Sequence, residues 1–296
     1  MEILAPGPLA TVQDFGRPGW SRLGLSSSGA ADFRSLALAN RLVGNTEDAA
    51  GIEATWGGLR IRAHCRRVDG RTSIVYVSLT GAPCPIDVNG RPAAWCGPIA
   101  LRDGDVLTLG APTSGLRTYL AVRGGLAVPP VLGSRSTDLL SGTGPAPLAA
   151  GDRLAVGQPV APMPGVDLAP CTAPPEQFLL RVWPGPRSDW FTQASLRELL
   201  TASWQATSRS NRVGLRLSGP PLTRCREEEL PAEGMVSGAL QVPPSGQPVL
   251  FLTDHPVTGG YPVVAVVHGD DLPLAGQIPP GASIRFRLHQ ATAWES

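Results

Sequence analysis

Three clusters of polar side chains stand among glycines and prolines, and each has residue types able to handle an anion or a small polar ligand. The chemically most unusual runs GALQVPPSGQP over 238–248 and then TDHPVTGGYP over 253–262. Consecutive Gly259 and Gly260 let backbone amides approach a ligand closely, and Gln241, Asp254, Thr258 and Tyr261 supply polar groups to converge on it. The Asp254-His255 pair invites an acid–base reading. No G-x-S-x-G elbow accompanies it and no third orienting group can be named, so a hydrolytic triad is not expected.

A second cluster, SRSNRVGLRLSG over 208–219, sets Arg209, Arg212 and Arg216 near one another with Asn211 between them, a constellation able to hold a carboxylate or phosphate. The same residues read equally well as a strand, with Val213, Leu215 and Leu217 inside and Gly214, Arg216 and Ser218 on a wet face. The third cluster, TVQDFGRPGW over 11–20, continues into SSSGAAD over 26–32. Gln13, Asp14 and Arg17 are capable of bidentate hydrogen bonds, and the serines ending at Ser28 open into a helix start, which is anion-friendly geometry. Asp14 and Arg17 pairing with each other to brace a turn is the plainer alternative. His64, His268 and His289 are singletons without three-ligand spacing, so no metal site is expected.

Short β-branched or aromatic runs bounded by Gly or Pro must position these clusters: 73–79, 117–122, 178–182, 249–252 and 263–267. The phrase L-x-x-G-D-x-L-x-x-G occurs at 101–110 and 148–157, with a looser copy at 278–286, and reads as a tight turn delivering a half-buried strand. Helices are few. One is expected from about Gly29 to Val43 with Ser28 as N-cap and Gly44 as stop, another from Thr192 to Ser203 with Thr192 as cap and a stripe of Leu196, Leu199 and Leu200. The fold class expected is mainly β with few helices, in two β-rich domains: 1–157, a Pro-rich linker at 158–175, and 176–296.

The 296 residues carry 42% hydrophobic and 17% charged side chains, a globular composition, and a net charge of +1 that gives no footprint for nucleic acid. All 25 basic residues are arginine. Without lysine the chain has no phosphate-loop lysine, no Schiff-base amine and no attachment point for covalent biotin. Cys65, Cys84, Cys96, Cys171 and Cys225 are odd in number and scattered, so neither a zinc site nor a disulfide framework is expected. Residues 1–9 lack an export signal and no apolar run approaches a membrane span, which leads to the expectation of a cytoplasmic protein.

The phrases TVQDFGRPGW, SSSGAADFRSLALANRLVGN, YLAVRGGLAVPPVLGSRST, SNRVGLRLSGP, GALQVPPSGQPVLF and TGGYPVVAVV, in this order across nearly the whole chain, resemble the carboxyltransferase subdomain A/B family. That family includes the C subunit of prokaryotic 5-oxoprolinase, an antagonist of a sporulation-kinase inhibitor, and half of the carboxyltransferase domain of urea carboxylase. The resemblance implies a cyclophilin-like β-barrel for the C-terminal domain. It implies one component, inactive alone, of an ATP-dependent 5-oxoprolinase that opens 5-oxo-L-proline to L-glutamate. Two partners are implied: a B-type component of the carboxyltransferase subdomain C/D kind (KipI-like), and an A-type component that is LamB/YcsF-like, with ATP used by the complex. A carboxyltransferase half of a urea-carboxylase or allophanate system and a non-catalytic regulatory partner of a kinase-inhibitor-like, KipI-like protein are the alternatives.

The family pattern covers Asp14, Arg17, Arg212, Gln241 and Tyr261 among other positions, and these five are our catalytic candidates. Gln13, Ser28, Asn211, Arg216, Thr258, Gly259 and Gly260 become the substrate-binding ones. The chain departs from the family pattern at His255-Pro256-Val257, where relatives read Arg-Gln-Thr, and at Ala232, where serine is common.

Overall fold

The computed structural model describes residues 1–65, 67–68 and 71–289. The chain forms two compact units. The first comprises Met1–Arg17, Asp32–Asp138 and Gly142–Pro174, and the second Pro18–Ala31, Leu139–Ser141 and Pro175–Ser296. Among the described residues no helix is long and apolar enough to cross a membrane.

Two five-stranded sheets build the first unit. One runs Glu2–Pro6, Leu59–Arg62, Val106–Leu109, Ile86–Val88, Arg91–Pro92 in spatial order; the other runs Pro98–Leu101, Val75–Gly81, Arg117–Val122, Gly51–Thr55, Leu9–Gln13. Their inward side chains, among them Ile3, Val12, Ile52, Ile61, Val77, Leu79, Leu107 and Leu120, share one core. The helix α1 (Phe33–Leu42) lies on the second sheet, where Ala39 and Val43 pack with Ala121 and the Ser78 hydroxyl donates to the Ala39 carbonyl at 2.6 Å. Arg117–Val122 is therefore covered on both faces and buried at all six positions, which explains why its sequence does not alternate.

Helix α1 starts later than expected. Asp32, not Ser28, is its N-cap, and the Asp32 carboxylate accepts from the Ser35 amide at 3.0 Å and the Ser35 hydroxyl at 2.6 Å. Ser28 has φ 51, a left-handed conformation outside any helix.

Cys96 and Cys171 form a disulfide across 75 residues, which corrects the expectation that none would form. Spacing rules see only local patterns, whereas here the fold brings the stretch around Ala169 to Cys96, whose carbonyl accepts the Ala169 amide at 2.8 Å. The same Pro-rich stretch is held on the first unit by Arg123, which donates to the Ala161 carbonyl at 2.6 Å. Of the repeated phrases, the copies at 101–110 and 278–286 deliver strands at Val106–Leu109 and Ser283–Leu288, while the copy at 148–157 makes only isolated bridges at Arg153 and Val156.

The second unit is a closed barrel: Gln177–Pro184, Val263–Val267, Ala239–Gln241, Val249–Phe251, Gly214–Ser218, Trp204–Ala206 and Ser283–Leu288. It closes by parallel pairing of Ser283–Leu288 with Gln177–Pro184. Phe178, Leu180, Leu215, Leu217, Leu250, Ile284 and Phe286 fill it. The helix α2 (Gln193–Thr201) plugs one side, capped by Thr192, whose hydroxyl accepts from the Ser195 amide at 3.2 Å. Its Leu196 and Leu199 are buried in the barrel core, each contributing roughly 1.5–3 kcal/mol.

Candidate functional site

On the strand Ala239–Gln241 the register with Val263–Val267 shifts between Leu240 and Gln241. Such a bulge re-aims the side chain that follows it. The Gln241 amide, almost wholly buried, donates to the Tyr261 carbonyl at 3.1 Å and lies against the Met235 sulfur at 4.0 Å. A Cβ on Gly259 would fall 2.5 Å from its Nε2, so any larger residue there would have to displace the glutamine amide. Gly259 belongs to a short ribbon in which Thr258–Gly259 pairs with Glu233–Gly234. Arg187 clasps the Glu233 carboxylate, with Nε at 2.9 and 3.2 Å from its two oxygens and Nη2 also bonded. These bonds hold the Glu233 carboxyl below the ordinary range, against an opposing effect of burial. Thr258, Gly260 and Tyr261 are exposed, and the Arg224 guanidinium carbon sits 5.9 Å from the centre of the Tyr261 ring.

Arg212 and Asp254 form a fully buried pair. Nε donates to one carboxylate oxygen at 2.9 Å and Nη2 to the other at 3.0 Å, while Nη2 also reaches the Gly29 carbonyl at 2.6 Å and the Thr253 hydroxyl at 3.0 Å. Asp254 also accepts from the Ser28 hydroxyl at 2.8 Å and from the Leu139 amide at 3.1 Å. Asp254 thus ties Pro18–Ala31 and Leu139–Ser141 to the barrel, all within the second unit. Arg212 faces inward to this carboxylate. Asn211 closes a turn, accepting from the Val213 amide at 2.9 Å and the Gly214 amide at 3.3 Å, and Arg216 is exposed on Gly214–Ser218. His255 is buried against Phe251, with Nδ1 2.8 Å from the Pro256 carbonyl.

In the first unit, Asp14 is a hub. Its carboxylate accepts from the hydroxyls of Ser134 at 2.6 Å and Ser136 at 2.5 Å and from the amides of Arg135 at 2.6 Å and Gly16 at 2.8 Å. Arg17 does not pair with it. The guanidinium instead donates to the carbonyls of Ser136 and Val131, and the Gln13 amide donates to Thr11 and to the Thr137 carbonyl at 3.0 Å each. The Asp14–Arg17 contact of the plainer alternative is not formed; serines and backbone groups take its place on both side chains. A second buried network joins Tyr119, whose hydroxyl donates to Glu53 at 2.8 Å and accepts the Asp32 amide at 2.7 Å, with Arg117 beside Glu53. Burial, with the charges of Glu53 and Asp32, pushes the Tyr119 phenol well above its ordinary value.

Gln241, Thr258, Gly259, Gly260 and Tyr261 are therefore brought together at the barrel, and Ser28 with Arg212 in the buried clamp. Gln13, Asp14 and Arg17 form a separate braced loop in the first unit. Arg187, Arg224 and Glu233 were missed by the sequence reading, because nothing in local spacing marks them. Ser134 and Ser136 lie within the quoted phrase YLAVRGGLAVPPVLGSRST, the one signal available for them. Among the described residues no group of His, Cys, Asp and Glu is arranged to hold a metal.

The model of the carboxyltransferase domain, subdomain A and B, matches residues 23–288. The chain belongs to this family. All of the barrel and clamp residues lie within the matched span, whereas Gln13, Asp14 and Arg17 precede it. Within the family, the chain is 38% identical to the C subunit of 5-oxoprolinase from Escherichia coli K12 over 294 residues, covering 97% of this chain and 90% of that protein. It is 34% identical to the urea amidolyase of Lachancea kluyveri over 96% of this chain, but spans only 17% of that protein. The crystal structure of TTHA0988 superposes with a TM-score of 0.86 at 35% identity, covering 97% of this chain and 55% of that one. The urea amidolyase of K. lactis does so at 0.86 and 31%, over 18% of its length. The chain thus spans about half of one solved relative and under a fifth of the other.

Proposed function

We propose that this chain is the C component of a multi-subunit, ATP-dependent 5-oxoprolinase, working with KipI-like and LamB/YcsF-like partners to convert 5-oxo-L-proline to L-glutamate. The observation that carries the reading is two-way coverage: 97% of this chain aligns with 90% of the Escherichia coli 5-oxoprolinase component. Against urea amidolyase the chain corresponds to a fragment.

Ring opening adds the oxygen of water to the lactam carbonyl carbon, breaks the ring C–N bond and leaves the nitrogen as a protonated amine. Negative charge develops on the lactam oxygen, and preoriented donors stabilise it. The exposed wall of Thr258, Gly260 and Tyr261, backed by the Gln241 amide, supplies polar groups on a rigid barrel. The Arg212–Asp254–Ser28 clamp acts as a positioning device, since its groups are spent on one another. A chain without lysine offers no phosphate-loop lysine for the ATP phosphates, which fits phosphoryl handling on the partner proteins.

Co-expression with the KipI-like and LamB/YcsF-like partners, followed by an assay for glutamate released from 5-oxo-L-proline, tests the proposal. ATP-dependent release supports it. A complex that is silent with 5-oxo-L-proline but transfers the carboxyl group of carboxybiotin to urea, releasing biotin, would favour the urea-carboxylase reading instead.

A further inference from the structure

We infer that Arg224 is the carboxylate-recognising residue of this site, and that it selects a lactam bearing a carboxylate over a neutral amide such as urea. The inference rests on the 5-oxoprolinase reading and adds to it the group that reads the substrate's charge.

Four arginines of the barrel unit are withdrawn from full exposure: Arg181, Arg187, Arg212 and Arg224. Three of them face a carboxylate, with Arg181 on Asp271 at 2.6 Å, Arg187 on Glu233 and Arg212 on Asp254 at 2.9 Å. Arg224 has no such partner among the described residues. Its Nη2 donates to the Val242 carbonyl, which fixes the guanidinium in place, and its Nε is buried without an acceptor. A buried donor left unmade costs free energy, and a partly buried cation without a counter-charge costs more. Burial also pulls its pKa below the usual arginine value, as follows for a cation lacking an anion.

The rest of the surroundings fits a ligand rather than a structural ion pair. The backbone at Arg224 is pinned on both sides: the Cys225 amide donates to the Trp190 carbonyl at 2.9 Å and the Thr223 amide to the Ser195 hydroxyl at 2.8 Å. The guanidinium lies by the ring of Tyr261, the exposed aromatic of the proposed wall, and Val242 directly follows Gln241. A planar fork held rigidly beside an aromatic face is suited to a carboxylate. 5-Oxo-L-proline carries one and urea carries none.

The test uses the complex reconstituted with both partner proteins and compares wild type, Arg224→Gln and Arg224→Lys. KM and kcat for 5-oxo-L-proline are measured, together with inhibition by its carboxamide, which keeps the ring and lacks the charge. Arg224→Gln is expected to raise KM tenfold or more with a much smaller change in kcat, and to abolish the preference for acid over carboxamide. Arg224→Lys, which keeps the charge but not the fork, should fall between, and guards against a Gln variant that fails to fold. Wild-type turnover with KM and discrimination unchanged in both variants would overturn this inference alone. A wild-type complex releasing no glutamate would overturn the functional reading and this inference with it.

Discussion

Arg212 and Asp254 are both almost completely closed to solvent, and a buried charge is tolerable only while its partner remains. Replacing Arg212 by Ala leaves the Asp254 carboxylate uncompensated and should destabilise the protein by about 3–5 kcal/mol in urea unfolding. Removing both charges together should cost less than removing Arg212 alone; a single variant within about 1 kcal/mol of wild type would contradict the clamp. Glu233 makes the corresponding case at the ribbon. Because Arg187 depresses its folded pKa, the pair contributes stability that is fully present above the unfolded carboxylate value of about 4.3 and is lost as pH falls through the folded value. Amide protection at Thr258 and Gly259 should therefore hold from pH 7 to 5 and fall in stronger acid, and Arg187→Ala should remove that acid sensitivity. Protection independent of pH in the wild type would refute the assignment. Residues of this kind bound what sequence can reveal of the site. Polar residues dense among glycines single out the candidate segments, yet whether Asp14 or Arg212 points to a ligand or inward depends on partners far away in sequence. Ser134 is 120 residues from Asp14, and no local pattern encodes that contact.

At the level of elements, local chemistry was most legible where one residue decides the outcome. Thr192 was expected as the cap of α2 and is, with the helix running Gln193–Thr201. Thr192→Ala should cost about 1 kcal/mol, read as a lower thermal midpoint, and no measurable loss would mean the cap is dispensable. For α1 the expected cap was Ser28, and Asp32 takes its place. Ser28 lost because its backbone is left-handed and its hydroxyl is committed to Asp254, while the Asp32 carboxylate bonds Ser35 at the first turn. The strand Val263–Val267 matches its expected bounds, since a β-branched run between prolines and glycines has few alternatives. Cys96–Cys171 was illegible for the opposite reason, as two lone cysteines carry no spacing signal.

For the whole molecule, the ordered phrases along the chain identified the family, and the domain match over 23–288 bears that out. Shared architecture leaves the reaction open, because the same domain occurs in the C subunit of 5-oxoprolinase and in urea amidolyases. The proposed function divides the labour: this polypeptide would offer a substrate-facing wall while its partners carry the ATP chemistry. The most direct measurement follows ATP consumption and glutamate formation from 5-oxo-L-proline with this chain alone, with the KipI-like and LamB/YcsF-like proteins alone, and with all three. Glutamate is expected only from the complete set; ATP-dependent glutamate formation by the purified chain alone would contradict this division of labour.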